Sequence, residues 1–164
     1  MDIKKLGPIG AELSNINLND LSEDEVRLIK KYFLDYSVIV FRNQSLAPKD
    51  LKDIASFWGG ASIHPVFKGI EGHPEIIEIR NYGEKYHTNA HWHSDVTFEE
   101  TPPDATLLYS MEVPKEGGDT LFSSQYLAYN ELKPDLISSL ADKKAIHSNL
   151  GVLMLSGGDI KNAK

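Results

Sequence analysis

Apolar residues recur at helical spacing in Leu21–Tyr36, where Val26, Ile29 and Phe33 share one face. Ser22 and Glu25 open that segment as a capping box. The β-branched run Ser37–Phe41 predicts a buried strand. A second helix is predicted over Ala47–Gly60. Pro48 suits its first turn, Leu51, Ile54 and Trp58 make one face, and Gly59-Gly60 end it. Pro74–Arg80, His91–Phe98, Ala105–Val113 and Asp119–Ser124 alternate or run apolar as strands do, with the turn-forming Pro114–Gly118 between the last two. Gln125–Leu132 and Pro134–Asp142 predict helices, and Lys144–Leu155 a further strand. Helices mixed with short strands, followed by a β-rich middle, predict an α+β or mainly β chain. Regular βαβ alternation and a Gly-rich phosphate loop are both absent from the pattern, against a doubly wound nucleotide-binding fold.

The 164 residues suffice for a single domain, 1–164, with its own core. A formal net charge of −7 disfavours nucleic acid and anionic membrane as partners. With no cysteine, disulfides, thiolate metal sites and a cysteine nucleophile are excluded. The opening segment lacks the apolar core of a signal peptide, and no apolar run nears the ~20 residues of a membrane span. These features predict a soluble, cytoplasmic protein.

Candidate chemistry concentrates in Ala90–Ala105, where His91, His93 and Asp95 stand at every second position. On a strand, alternate side chains share a face, so the three could converge. Imidazole and carboxylate together suit Fe(II), Mn(II) or Zn(II), and two histidines plus one carboxylate leave three positions of an octahedral Fe(II) open. A His-x-Asp pair by itself is weak evidence. Chance gives about 0.4 per chain of this composition, and on the motif alone a surface or hydrogen-bonded pair is favoured over a metal site. Its surroundings add weight: Trp92, Val96 and Phe98 are interleaved with it, Pro102-Pro103 stiffen the following turn, and Gly117-Gly118 precede the hydroxyl of Thr120.

The segment His91–Leu132 resembles the taurine dioxygenase (TauD/TfdA-like) family of Fe(II)/2-oxoglutarate-dependent dioxygenases, which reads W-H-[ST]-D-x-[ST]-F-x-x-x-P-P and then G-G-D-T-x-[FW]. Leu6–Leu13, Val38–Leu46 and Ile63–Phe67 resemble the family's opening segments in the same order. The resemblance implies a double-stranded β-helix (jelly roll) with flanking helices, Fe(II) as metal, and 2-oxoglutarate and O2 as co-substrates. It further implies a small organic anion as substrate, a sulfonate first, with succinate and CO2 released. His93 and Asp95 match the first two iron ligands, and a carboxylate at Asp95 implies hydroxylation rather than halogenation. Thr120 matches a residue that helps bind a 2-oxoglutarate carboxylate, and Asn89 a polar residue near co-substrate and substrate. His64 matches a histidine contacting the sulfonate, where an imidazolium can donate a charge-assisted hydrogen bond. Val96 matches a residue whose backbone lies near that group. Phe67 stands where taurine-oxidising members carry tyrosine, so its hydroxyl donor is missing.

The resemblance also implies a distal histidine as third iron ligand and two later arginines. Here the arginines, Arg27, Arg42 and Arg80, all precede His93, and the one later histidine, His147, falls at a different position. The chain therefore matches an N-terminal portion, with an incomplete jelly roll, and as printed is expected to be inactive. A complementing C-terminal segment or a second copy is the expected partner. Two other readings stand beside the oxygenase: a non-catalytic interaction subunit, and a cupin-like site using His91, His93 and Glu99. His73 and His87 read as solvated, and Tyr126 and Tyr129 as packing residues.

Overall fold

The computed structural model describes residues 1–80, 91–156 and 159–163. They group into two compact units, each of two segments. One comprises Met1–Asp50 and Tyr109–Lys144, the other Leu51–Leu108 and Ala145–Lys164.

The first unit is built on a mixed three-stranded sheet, ordered β1 (Asp2–Lys5), β2 (Ala11–Ser14), β3 (Ile39–Phe41). β1 pairs antiparallel with β2, Ile3 opposite Leu13, and β2 pairs parallel with β3, Leu13 opposite Phe41. Helix α1 (Glu23–Tyr36) makes the crossover that a parallel pair requires. The capping box forms as expected: Ser22 N–H donates to Glu25 Oε2 (2.9 Å), and Glu25 N–H donates to Ser22 Oγ (3.3 Å). The Ser22 N–H bond, joined by Ser22 Oγ–H donating to the same carboxylate oxygen (2.7 Å), holds the Glu25 carboxyl below its ordinary range. α1 ends at Ser37, whose left-handed backbone (φ 64°) turns the chain into β3.

Ala11, Leu13, Leu18 and Ile29 are buried in this unit. Removing a side chain such as Leu13 from water contributes about 1.5–3 kcal/mol. Gln44 fastens the loop after β2. Its carbonyl accepts from Leu18 N–H (3.0 Å), and its amide donates to the carbonyls of Ile16 (3.1 Å) and Arg42 (2.8 Å). Tyr109 Oη donates to the Gln44 backbone carbonyl (3.2 Å), distinct from the side-chain Oε1, and accepts from Leu46 N–H (3.3 Å). α3 (Gln125–Asn130) and α4 (Pro134–Leu140) occupy the predicted places, α3 capped by Ser124 and α4 started by Pro134.

Helix α2 (Pro48–Ser56) also matches its prediction. Asp50 accepts from Ala47 N–H at its start (2.7 Å), and Gly59 and Gly60 end it at positive φ. In the second unit Ile54 is buried. Beyond it, Gly69–Ile76 closes on itself through Ile70 N–H to Ile76 O (2.8 Å) and Ile76 N–H to His73 O (3.0 Å). Gly69 is obligatory there, because a Cβ would lie 2.3 Å from the Pro74 carbonyl oxygen. Lys52 clamps the loop through Glu75 (2.6 Å), which holds the Glu75 carboxyl below its ordinary range. His73 is half-buried rather than solvated.

Several predicted strands are absent among the described residues. Pro74–Arg80, His91–Phe98, Ala105–Val113 and Asp119–Ser124 have strand-like sequences but no paired neighbour, and a strand exists only where its backbone groups find one. In the last two segments many apolar side chains stand in water: Leu108, Met111, Val113, Leu121 and Phe122 are all more than half exposed. Tyr126 and Tyr129 are exposed too, not packed. Lys144–Leu155 was expected as a strand, but its second half is helix α5 (Leu150–Ser156). Short apolar runs do not distinguish the two, and Leu153 N–H finds a local partner in the Asn149 carbonyl (2.9 Å). β1 and β2 were not foreseen, since Asp2–Lys5 is exposed and largely polar. No described helix is long and apolar enough to cross a membrane.

Candidate metal centre

His93 and Asp95 come together by a route other than strand alternation. Asp95–Phe98 is a turn, closed by Glu99 N–H to Val96 O (3.1 Å). Val96 sits at its corner with φ 52°, a left-handed conformation that costs a β-branched residue of order 1–3 kcal/mol. The turn sets His93 Nε2 3.2 Å from Asp95 Oδ1. Trp92, expected on an apolar face, is exposed instead.

Each member of the pair is held from behind. His93 Nδ1 lies 2.7 Å from the His91 carbonyl oxygen, so Nδ1–H donates there and Nε2 is left on the side of Asp95. Thr106 Oγ1 donates to Asp95 Oδ2 (2.8 Å), leaving Oδ1 toward the histidine. The donor set fits a divalent cation. Two ligand atoms about 2.1 Å from one ion at a right angle lie about 3 Å apart, near the separation found. Support of ligand atoms by a carbonyl and a hydroxyl is the usual outer arrangement of a metal site. Thr106 escaped the sequence reading; its only signal was a hydroxyl just after the Pro102-Pro103 turn.

No group of three His, Cys, Asp or Glu side chains converges among the described residues. The cupin-like set of His91, His93 and Glu99 is therefore not assembled: His91 contributes its backbone carbonyl. His147 is engaged elsewhere, Nδ1 sharing a hydrogen bond with Thr97 Oγ1 (2.9 Å).

His64 lies in the same unit as the pair, and its Nδ1 is engaged by the backbone. Nδ1 accepts from the backbone N–H of both Val66 and Phe67, each at 3.0 Å. The Phe67 ring packs beside it, centroids 4.9 Å apart. Partial burial pushes the His64 imidazole below its ordinary value, and the Asp95 carboxylate opposes this only in part. Burial and the two N–H donors at Nδ1 both favour the uncharged form of the ring. Thr120, in the first unit, is exposed just after Gly117-Gly118, where a Gly118 side chain would press on Pro114. Asn89 and His87 lie outside the described residues.

Comparison with known proteins converges on one family. The taurine catabolism dioxygenase TauD, TfdA family matches residues 2–152. The chain is 35% identical to an alpha-ketoglutarate-dependent sulfate ester dioxygenase of Pseudomonas putida, over 87% of this chain and 48% of that protein. It is 33% identical to an alkylsulfatase of Acinetobacter baylyi, over 91% of this chain and 47% of the relative. A crystal structure of a taurine dioxygenase from Burkholderia xenovorans superposes with a TM-score of 0.75 at 33% identity, covering 86% of this chain and 51% of that one. The chain spans about half the length of the curated relatives it matches.

Proposed function

The chain belongs to the TauD, TfdA family of taurine catabolism dioxygenases, and on that premise we propose that it is the iron-binding portion of an Fe(II)/2-oxoglutarate-dependent dioxygenase acting on a small organosulfur anion. The observation that carries this reading is the facing pair, His93 Nε2 and Asp95 Oδ1 at 3.2 Å, each fixed from behind. His93 and Asp95 would hold two adjacent positions on Fe(II). When bound, the iron supplies O2 activation, oxidising the substrate while 2-oxoglutarate becomes succinate and CO2.

Other residues of this chain bind and orient. Thr120 and Asn89 take a 2-oxoglutarate carboxylate and the space beside it. His64 donates from Nε2 to the substrate anion, and Val96 offers its backbone next to it. The distal histidine and the arginines come from a complementing segment of the same fold, which also completes one jelly-roll domain. The protein works in the cytoplasm.

A sulfonate is the first substrate class. Hydroxylation of the carbon bearing sulfur collapses to an aldehyde and sulfite. A sulfate ester is the second, favoured by the names of the two relatives and by Phe67, which offers no hydroxyl to the anion. Its hydroxylated carbon collapses to an aldehyde and sulfate. The test is 2-oxoglutarate-dependent turnover by protein carrying the complementing segment, with taurine and hexyl sulfate as substrates. Succinate formation coupled to sulfite or sulfate is expected. Succinate formation stimulated by neither would refute the substrate assignment.

A further inference from the structure

The turn that aims Asp95 is strained and needs holding. Val96 at its corner has φ 52°, and a β-branched residue stays in that left-handed region only where its surroundings over-determine it. Inside the turn, Glu99 N–H donates to the Val96 carbonyl (3.1 Å). A second hold comes from far along the chain. Thr97 Oγ1 lies 2.9 Å from Nδ1 of His147, 50 residues away in sequence. Both residues belong to the same compact unit, and Thr97 is half-buried next to the corner. The far end of this tether is anchored. His147 stands just before helix α5, whose start is fixed by Leu153 N–H donating to the Asn149 carbonyl (2.9 Å) and Leu150 N–H donating to Ser148 Oγ (3.2 Å). Asn149 and Leu153 are buried. His147 itself is exposed, so burial of its ring contributes little, and its polar contact with Thr97 is what it offers the fold.

We infer that His147 is a positioning residue for the metal centre: through Thr97 it holds the Val96 turn, and so keeps Asp95 Oδ1 opposite His93 Nε2. This rests on the proposed function, because it assigns a support to one of the two proposed iron ligands. His147 acts on the backbone of the turn, whereas Thr106 acts on the Asp95 carboxylate directly. The two supports are therefore separate, and losing either loosens a different part of the same ligand. The tether works in both neutral tautomers of the ring. The Thr97 hydroxyl donates to a bare Nδ1, or accepts from Nδ1–H. Without it, Val96 is free to leave the left-handed region, and Asp95, the residue before it, turns away with it.

Two readouts on the whole chain test this. The first needs no metal: hydrogen exchange of the Glu99 amide, whose N–H closes the turn. His147→Ala should speed it about threefold, the order expected for one exposed neutral hydrogen bond. The second is anaerobic titration with Fe(II), which the same variant should bind about threefold more weakly. Asparagine carries a polar atom as many bonds from Cα as Nδ1 of histidine, so His147→Asn should restore both values. Thr97→Val removes the other end of the bond and should match His147→Ala. The double variant Thr97→Val/His147→Ala should be no worse than either single one, a non-additivity that general damage to the fold does not give. Circular dichroism checks the fold, and if His147→Ala unfolds, Thr97→Val and the asparagine variant decide. Parental exchange and parental affinity after loss of either partner, no rescue by asparagine, or additive losses would overturn the assignment. If the parent binds Fe(II) and the tether variants bind it equally well, the positioning role fails alone and the proposed function stands. If the parent takes up no Fe(II), the proposed function fails and the positioning role falls with it.

Discussion

Replacing Thr106 with valine removes one hydroxyl and keeps the side-chain shape. The bond lost is Thr106 Oγ1 to Asp95 Oδ2, 2.8 Å long. A hydrogen bond to a charged group contributes about 1.5–3 kcal/mol net. The Asp95 side chain is 45% exposed, so water recovers part of that, leaving about 1 kcal/mol. At about 1.4 kcal/mol per tenfold, Fe(II) affinity should fall roughly fivefold. The loss would act through aim, because the carboxylate is then free to turn Oδ1 away from His93 Nε2. The assay is anaerobic calorimetric titration with Fe(II), with circular dichroism checking the fold. Thr106→Ser restores the hydroxyl and should restore affinity. A valine variant within twofold of the parent, or a serine variant as weak as valine, would refute the reasoning.

Three predictions concern the scaffold. Ser22→Ala removes the hydroxyl that accepts from Glu25 N–H and donates to Glu25 Oε2, leaving the backbone half of the capping box, and should cost about 1 kcal/mol in urea denaturation. Gly69→Ala places a Cβ 2.3 Å from the Pro74 carbonyl oxygen, which forces the backbone to move. It should cost about 1–3 kcal/mol, more than Gly72→Ala, where the space is open and only the positive φ is penalised. Glu75 has a lowered folded pKa because Lys52 donates to its carboxylate, so the ionised form favours the fold. That stability is present above the ordinary value, 4.5, and is lost as pH falls through the lower folded value. The urea midpoint of the parent should exceed that of Glu75→Gln at pH 6, and the gap should close on acidification below 4.5.

What the sequence revealed follows the range of the interactions involved. α1 and α2 were legible because their signals are local: a capping box four residues wide, a proline at the first turn, and apolar residues three and four apart. β3 was legible from its β-branched run. Ala105–Val113 and Asp119–Ser124 were misread because strand pattern is necessary but not sufficient. Pairing is non-local, and these segments have no neighbour among the described residues. β1 was missed for the converse reason. Its exposed, charged sequence becomes a strand only because β2 is there to pair with it.

The spacing of His93 and Asp95 predicted that the two side chains meet, but by a different geometry. A strand would have aligned them by alternation; a turn cornered at Val96 does it instead. Thr106, eleven residues beyond Asp95, could not be assigned to that carboxylate without the fold. The contacts of His64 were not legible, because its Nδ1 accepts from two backbone N–H groups, which no sequence pattern announces.

The central claim is that His93 and Asp95 are two adjacent iron ligands. The most direct measurement is anaerobic Fe(II) titration of the parent chain beside His93→Ala, Asp95→Ala and His91→Ala. The account predicts one Fe(II) per chain, bound at least tenfold more weakly in the His93 and Asp95 variants. It predicts near-parental affinity for His91→Ala, since the carbonyl that holds His93 remains. Unchanged uptake in the His93 and Asp95 variants, or a loss in His91→Ala as large as theirs, would contradict it.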